Sequence, residues 1–536
     1  MAVYKYQSID FDRPAIRLLR LFKGKFDDNI QGELFEGWIN QSDGGIPYNA
    51  LSYTWGSRVK VAQMIVNGSQ MNITSNLLAA LRHLRFEDED RILWMNAICI
   101  NQDDDRERTH QVRQMSSIYK EAEQVVIWLG EGTEESDSLM DSMRRVQEHS
   151  VKVNGDWRGL WRLWMLPRPE QIATWRKGME SMLDHPWFRR VWIVQEVANA
   201  RVAIIFCGKK SVSAQIFSQI PSLIRLQPKL HCQAILDIMP GLSRKESWWG
   251  QNRNLHTLLR MFRQSQATEE RDIIYALLGI ASDTCQGDTF LPDYKESLQQ
   301  VIQDTTSFIL FHKNQDKSLL EFLQWTLPEL LQNLDSLGNI VLGSTSENGQ
   351  EAVVQMLLKT DGINADWKDN DNRTPLQLAS RNRHETIVKL LLKHQVKVDI
   401  KDTNGRTPLS WAAESGHETI VKLLLKTRKI EVNSKDKDVQ TPLWWAARAG
   451  HEAIVKLLLA TDRVDVDAKN SGGWTPLCCA AGNGHETIVK LLLATNRVDV
   501  NTKDGDGRTP LWWAVRGGHE TIVELLLAAS QGEAVL

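Results

Sequence analysis

Thr-Pro-Leu recurs at Thr374, Thr407, Thr441, Thr475 and Thr509, 33 or 34 residues apart, and this spacing constrains the 536-residue chain more than any other feature. In step with it run RHETIVKLLL, GHETIVKLLL, GHEAIVKLLL, GHETIVKLLL and GHETIVELLL. Each unit reads as two helices. Threonine caps the first, and the proline behind it takes the first helical position, where a missing N–H costs nothing. Gly416, Gly450, Gly484 and Gly518 end that helix, and His-Glu-Thr-Ile-Val opens the second. A helix pair of this size cannot bury its own apolar face, so neighbouring units must stack to make a core.

The period and the Thr-Pro-Leu motif resemble the ankyrin repeat. One departure is that the histidine usual after Thr-Pro-Leu is replaced by Gln377, Ser410, Trp444, Cys478 and Trp512. A sixth unit, GNIVLGSTSENGQEAVVQMLL from Gly338, keeps the phase without Thr-Pro, as a terminal capping repeat would. Residues 338–536 are therefore expected to form an all-α ankyrin repeat solenoid of about six repeats, the first degenerate. The recurring histidines read as structural. Stacked helices lie about 8–10 Å apart, whereas zinc needs nitrogens near 2 Å, so adjacent repeats cannot share an ion.

Because the units are near-copies, their differences are informative. Variation concentrates in the pair after Thr-Pro-Leu and the pair four residues later, which share one helix face. In the ankyrin fold that face lines the concave groove. Trp411, Trp444, Trp445, Arg448, Trp512, Trp513 and Arg516 are thus expected to hold a protein ligand there, as anchor residues do. The competing reading is that the indoles fill gaps between repeats.

The N-terminal part alternates strand and helix. Ile16–Leu21 and Ala50–Trp55 read as strands, and Gln63–Ile73 as a hairpin turning at Asn67-Gly68. Asn76–Arg85 has helical period with Ser75 as its cap. Ile92–Ile100 (ILWMNAICI) reads as a strand buried on both sides, because its apolar run does not alternate. Asp105 opens an amphipathic helix to Ala122, and Val125–Leu129 is the next strand. Strand, helix and strand with a crossover of this length imply a parallel pair. In open parallel sheets ligands bind beyond the carboxyl ends of strands. Asn101, Gln102 and Asp103 lie at one such end and Ser52, Tyr53, Trp55 and Gly56 at another. Asn96 is either a pocket residue or a buried amide that bonds backbone.

YNALSYTWG (48–56), LWMNAICINQ with the following Asp and Glu-Arg (93–108), and RVWIVQE (190–196) resemble the three motif blocks of the fungal heterokaryon incompatibility (HET) domain. VNGSQMNITSNLLAALRHLR, QVRQMSSIYKEAEQVVIWLG and ATEERDIIYALLGIASD with LPDY fit as well, so the resemblance runs from about residue 10 to 310. It implies an α/β domain over 1–215 with a helical extension over 216–337. It also implies an effector of non-self recognition that triggers programmed cell death, with the repeats as sensor. The family usually carries aspartate where this chain has Asn96, which keeps the shape but cannot ionise.

The HET domain in turn resembles the TIR fold, a mostly parallel sheet, some members of which hydrolyse NAD with a helix-borne glutamate. That resemblance nominates Glu196 as a catalytic residue, with Arg190 and Gln195 shaping the pocket and NAD as substrate. No other cofactor is implied. The competing roles are an ion pair between Glu196 and Arg189 or Arg190, and a non-catalytic adaptor in which both domains only bind proteins.

Composition narrows the rest. A formal net charge of −3 gives no reason to expect nucleic acid as a partner. No apolar run reaches the roughly 20 residues of a membrane span, and the N-terminus lacks the apolar core of a secretory signal. Six cysteines without framework spacing fit a reducing, cytoplasmic setting. No phosphate-loop, G-x-S-x-G or H-E-x-x-H motif occurs, and no metal site is expected: Asp103, Asp104 and Asp105 read as acids at a helix N-terminus. Trp157, Trp161 and Trp164 form a stripe that is either core or a surface for self-association of the HET domain.

Overall fold

The computed structural model describes residues 2–39, 45–56, 59–152, 169–241, 244–245, 247–251, 253–284, 291–311, 324–360, 362–427 and 429–531. The Trp157, Trp161 and Trp164 stripe lies outside them. The described residues divide into two compact units, the first running to Leu334 and the second starting at Asp335. The described helices between residues 215 and 334 therefore belong to the same body as the sheet.

That sheet has nine strands among the described residues: β1 (Ala15–Leu21), β2 (Gln31–Trp38), β3 (Asn49–Ser52), β4 (Ala62–Val66), β5 (Ser69–Ile73), β6 (Arg91–Trp94), β7 (Gln124–Trp128), β8 (Ala203–Cys207) and β9 (Lys210–Ser213). They lie in the order β5-β4-β2-β1-β6-β3-β7-β8-β9. The expected mostly parallel sheet is mixed. Its centre, β6-β3-β7-β8, is parallel, whereas β1 runs antiparallel to both β6 and β2. β2 escapes sequence reading because Gly32, Gly37 and two glutamates interrupt it and its buried positions, Gly32, Leu34 and Gly37, do not keep a strict alternation. β6 and β7, joined through a helix, are parallel as expected, but β3 inserts between them.

Several local expectations need correction. The strand expected over Ile92–Ile100 stops at Trp94, and Asn96–Cys99 form a one-turn helix, α2. A continuous apolar run serves a buried turn of helix as well as a buried strand. Helix α1 (Ser75–Leu84) is capped by Thr74, whose hydroxyl accepts from Leu77 N–H, so Ser75 is already helical. The β4–β5 hairpin does turn at Asn67-Gly68, both with positive φ, as a two-residue turn of this type requires. Helix α3 (Asp105–Glu121) begins behind Asp104, whose carboxylate accepts from the N–H groups of Arg106 and Glu107. The aspartate run is thus a cap.

In the second unit, helix pairs follow one another from Leu337–Asn348 with Glu351–Leu357 to Pro510–Gly517 with Glu520–Ser530. Each Thr-Pro threonine caps its helix, as at Thr441, which accepts from Trp444 N–H at 3.3 Å. The histidines are structural, as expected. His384, His417, His451, His485 and His519 each bond a backbone carbonyl at the end of the preceding unit's first helix.

Candidate functional site

The parallel strands β3 and β6 end side by side, and a cavity of about 810 Å³ opens beyond their carboxyl ends. Chain leaving β3 supplies Thr54, Trp55 and Gly56, and chain leaving β6 supplies Asn96, Ile100 and Gln102. Gly56 has φ +66°, which lets the chain turn out of the strand. Arg108, Val112 and Met115 of α3 form one wall, Pro186, Arg190 and Trp192 another, and Gln266–Glu269, Asp272 and Tyr294 close it.

The expected site residues fall into three places. Trp55, Gly56, Asn96, Gln102 and Arg190 line the cavity. Trp55 Nε1 donates to Asn96 Oδ1 at 3.3 Å and Gln102 Nε2 to Asn96 O at 2.7 Å, so the amide ties two rims together. Ser52, Tyr53, Gln195 and Glu196 are buried outside the lining. Asn101 and Asp103 lie on the turn before α3. There Asn101 N–H donates to Glu107 Oε1 at 2.7 Å, and Glu107 is also gripped by both terminal nitrogens of buried Arg17.

Glu196, on helix α4 (Ile193–Asn199), is 1% exposed. The resemblance that nominated it placed it at the reacting centre, but its carboxylate accepts from Ser52 Oγ and Tyr119 and has Arg190 as countercharge. Burial pushes its pKa above the ordinary carboxylate range, against the opposing pull of Arg190 and the two hydroxyls. Arg190 connects this buried cluster to the cavity it lines, and its guanidinium donates to Tyr53 O. Gln195 turns away, donating to Tyr275 O at 3.3 Å.

The wall formed by residues 266–294 was not foreseen. Asp272, at the start of helix α5 (Asp272–Leu278), accepts from Tyr294 OH at 2.6 Å and from Trp192, and burial raises its pKa. Arg108 bonds Glu269 at 3.0 Å and lies 4.3 Å from the Tyr294 ring centroid. The cavity therefore offers aromatic faces, an amide rim, the Arg190 cation and a carboxyl held toward its neutral form. The sequence signal was present in TEERDIIY and LPDY, but it carried no chemistry readable on its own.

The nominated groove residues also separate. Trp444 and Trp445 are 4% and 5% exposed, while Trp512 is 40% exposed. Trp411, Trp445 and Trp513 each donate their indole N–H at 2.9 Å to an aspartate nine residues earlier, Asp402, Asp436 and Asp504. Each aspartate also accepts two backbone N–H groups of its turn. These indoles fasten turns and fill space between repeats. An indole spent on its own turn has no N–H left for a partner and can offer it only a ring face. Trp512, Arg448 and Arg516 do present open surface.

Residues 48–196 match the sequence model of the heterokaryon incompatibility protein (HET) family. Residues 310–402, 342–436, 394–470 and 443–534 match that of ankyrin repeats (3 copies). The chain is 29% identical over 370 residues to heterokaryon incompatibility protein 6, OR allele, of Neurospora crassa, covering 58% of this chain and 54% of that protein. It thus spans about half the length of this curated relative. The HET match stops short of the cavity wall at 266–294. No helix among the described residues is long and apolar enough to cross a membrane.

Proposed function

We propose that this chain, which carries a HET domain followed by ankyrin repeats, is an incompatibility effector that triggers programmed cell death, with the repeats as its protein-binding sensor. The observation that carries the reading is the cavity beyond β3 and β6, built from segments as distant as Trp55 and Tyr294. A purely structural domain has no need of such a space, and pockets with a few convergent polar groups are where binding is concentrated. The relative's printed name supports the incompatibility role.

The test is induced expression of the full chain in a filamentous fungal host. Growth arrest and dye uptake are expected. Thr268→Trp, which fills cavity space from an exposed position, should remove both while the protein accumulates normally. A chain that is harmless at verified levels would overturn the effector reading.

NAD hydrolysis is a second reading, favoured by the link that Arg190 makes between the buried Glu196 and the cavity. It requires the carboxylate to reach a ligand from which Ser52 and Arg190 now separate it. Cellular NAD should then fall with the wild type and not with Glu196→Gln. Equal depletion by both removes Glu196 from the chemistry.

A further inference from the structure

We propose that the open face of the repeat array binds an extended acidic protein segment, through guanidiniums spaced two repeats apart. The inference rests on the sensor reading and specifies the partner's chemistry. Seven residues after each Thr-Pro threonine stand Arg381, Glu414, Arg448, Gly482 and Arg516, so arginine occupies alternate units. All three arginines are exposed, and no carboxylate among the described residues forms an ion pair with them.

Each guanidinium is nevertheless held. Arg381 lies 4.9 Å from the Trp411 ring centroid, Arg448 lies 5.5 Å from both Trp444 and Trp445, and Arg516 lies 5.2 Å from Trp512. Cation–π contact restricts a long side chain before any partner arrives and leaves its N–H edge for a carboxylate, which a guanidinium grips with two bonds. The ordering cost of binding is then partly met in the free protein. Exposed Trp512 adds an apolar contact at the far end of the row.

The charge pattern fits a protein segment better than a nucleic acid. Glu414 sits between Arg381 and Arg448 in the row and is already neutralised by Arg406, so cations and neutral positions alternate. A polyphosphate favours a continuous basic stripe. With helices about 8–10 Å apart, alternate units lie roughly 16–20 Å apart, which an extended chain covers in about five or six residues at about 3.3 Å each. The partner should therefore carry acidic residues about six positions apart.

The experiment uses the full chain and labelled synthetic peptides read by fluorescence anisotropy. One peptide carries three glutamates six positions apart on a serine–threonine background, and its isomer carries the same glutamates side by side. The spaced peptide should bind about tenfold more tightly, weaken with added salt, and lose its advantage with Arg448→Gln or Arg516→Gln. Arg463→Gln, an exposed arginine outside the row, should leave binding unchanged. Equal binding of the isomers, no loss with the arginine variants, or preference for a single-stranded oligonucleotide would each overturn the inference. If the peptides fail while Arg448→Glu still alters growth arrest, the sensor reading stands and the acidic partner does not.

Discussion

The Ser52 hydroxyl donates a hydrogen bond to the Glu196 carboxylate across 144 positions of sequence, and Trp187 Nε1 donates to the same hydroxyl at 2.8 Å. This chain of bonds ties the end of β3 to helix α4 beside the cavity. Glu196→Ala would leave buried donors orphaned and should cost about 3–5 kcal/mol, while Glu196→Gln keeps an acceptor and should cost about 1–2. The pH dependence follows from the direction of the shift. Because folding raises the pKa of Glu196, its contribution is full below the ordinary value near 4.5 and is lost as pH rises through the folded value. Asp272 shifts the same way. Urea unfolding across that range should show wild type losing stability relative to Glu196→Gln as pH increases. Parallel pH profiles would remove Glu196 as the source.

Asn96 provides a test of the rim. Its side-chain oxygen accepts from Trp55 Nε1 and its backbone carbonyl from Gln102, and an aspartate could accept both. Asn96→Asp should therefore change unfolding free energy by less than about 1 kcal/mol while placing a charge on the cavity wall. If the cavity acts through a carboxylate there, growth arrest in the expressing host should begin sooner. A loss above about 2 kcal/mol would mean that the amide N–H₂ makes a bond the charge cannot replace.

How far the sequence could be read depends on whether a signal is local. The repeats were legible because capping threonine, first-turn proline and αL glycine act within a few residues, and the Asn67-Gly68 turn was legible for the same reason. Glu196 was visible as a residue but not as a buried one, since its partners Ser52 and Tyr119 come from distant segments. Arg108 and Tyr294 meet only after the helices close over the sheet. Variation between repeats looks the same in sequence whether an indole faces a partner or a neighbouring unit. The bond from Trp445 to Asp436 is visible only once the turn is folded.

That bond leads to a contrast within one array. Trp445 is buried, donates to Asp436 at 2.9 Å and lies 3.9 Å from the Arg406 guanidinium. Trp445→Ala should cost about 3–5 kcal/mol, the range for emptying a buried aromatic site. Trp512→Ala, at an exposed position, should cost less than about 1 kcal/mol and act mainly on partner binding. Denaturation midpoints of the two variants separate these effects. Similar losses would mean that Trp512 packs as its inner counterparts do.

Gly450 and Gly518 occupy equivalent positions with φ of +83° and +72°, yet they differ in what lies above them. A Cβ on Gly450 would meet His485 Cε1 at 2.7 Å, whereas one on Gly518 would meet nothing within 4 Å. Alanine at either site pays the left-handed backbone cost, about 1–2 kcal/mol. At Gly450 it must also displace the imidazole that bonds Arg448 O at 3.1 Å, uncoupling one unit from the next. Gly450→Ala should therefore cost at least about 1 kcal/mol more than Gly518→Ala, because the inter-unit bond from the displaced imidazole to Arg448 O is lost as well. Stability in a solenoid is carried by its nearest-neighbour interfaces, so the inner variant should also broaden the unfolding transition. Equal midpoints with equal cooperativity would show that the histidine–glycine contact contributes little to stacking, and the repeated Gly-His pair would then need another explanation.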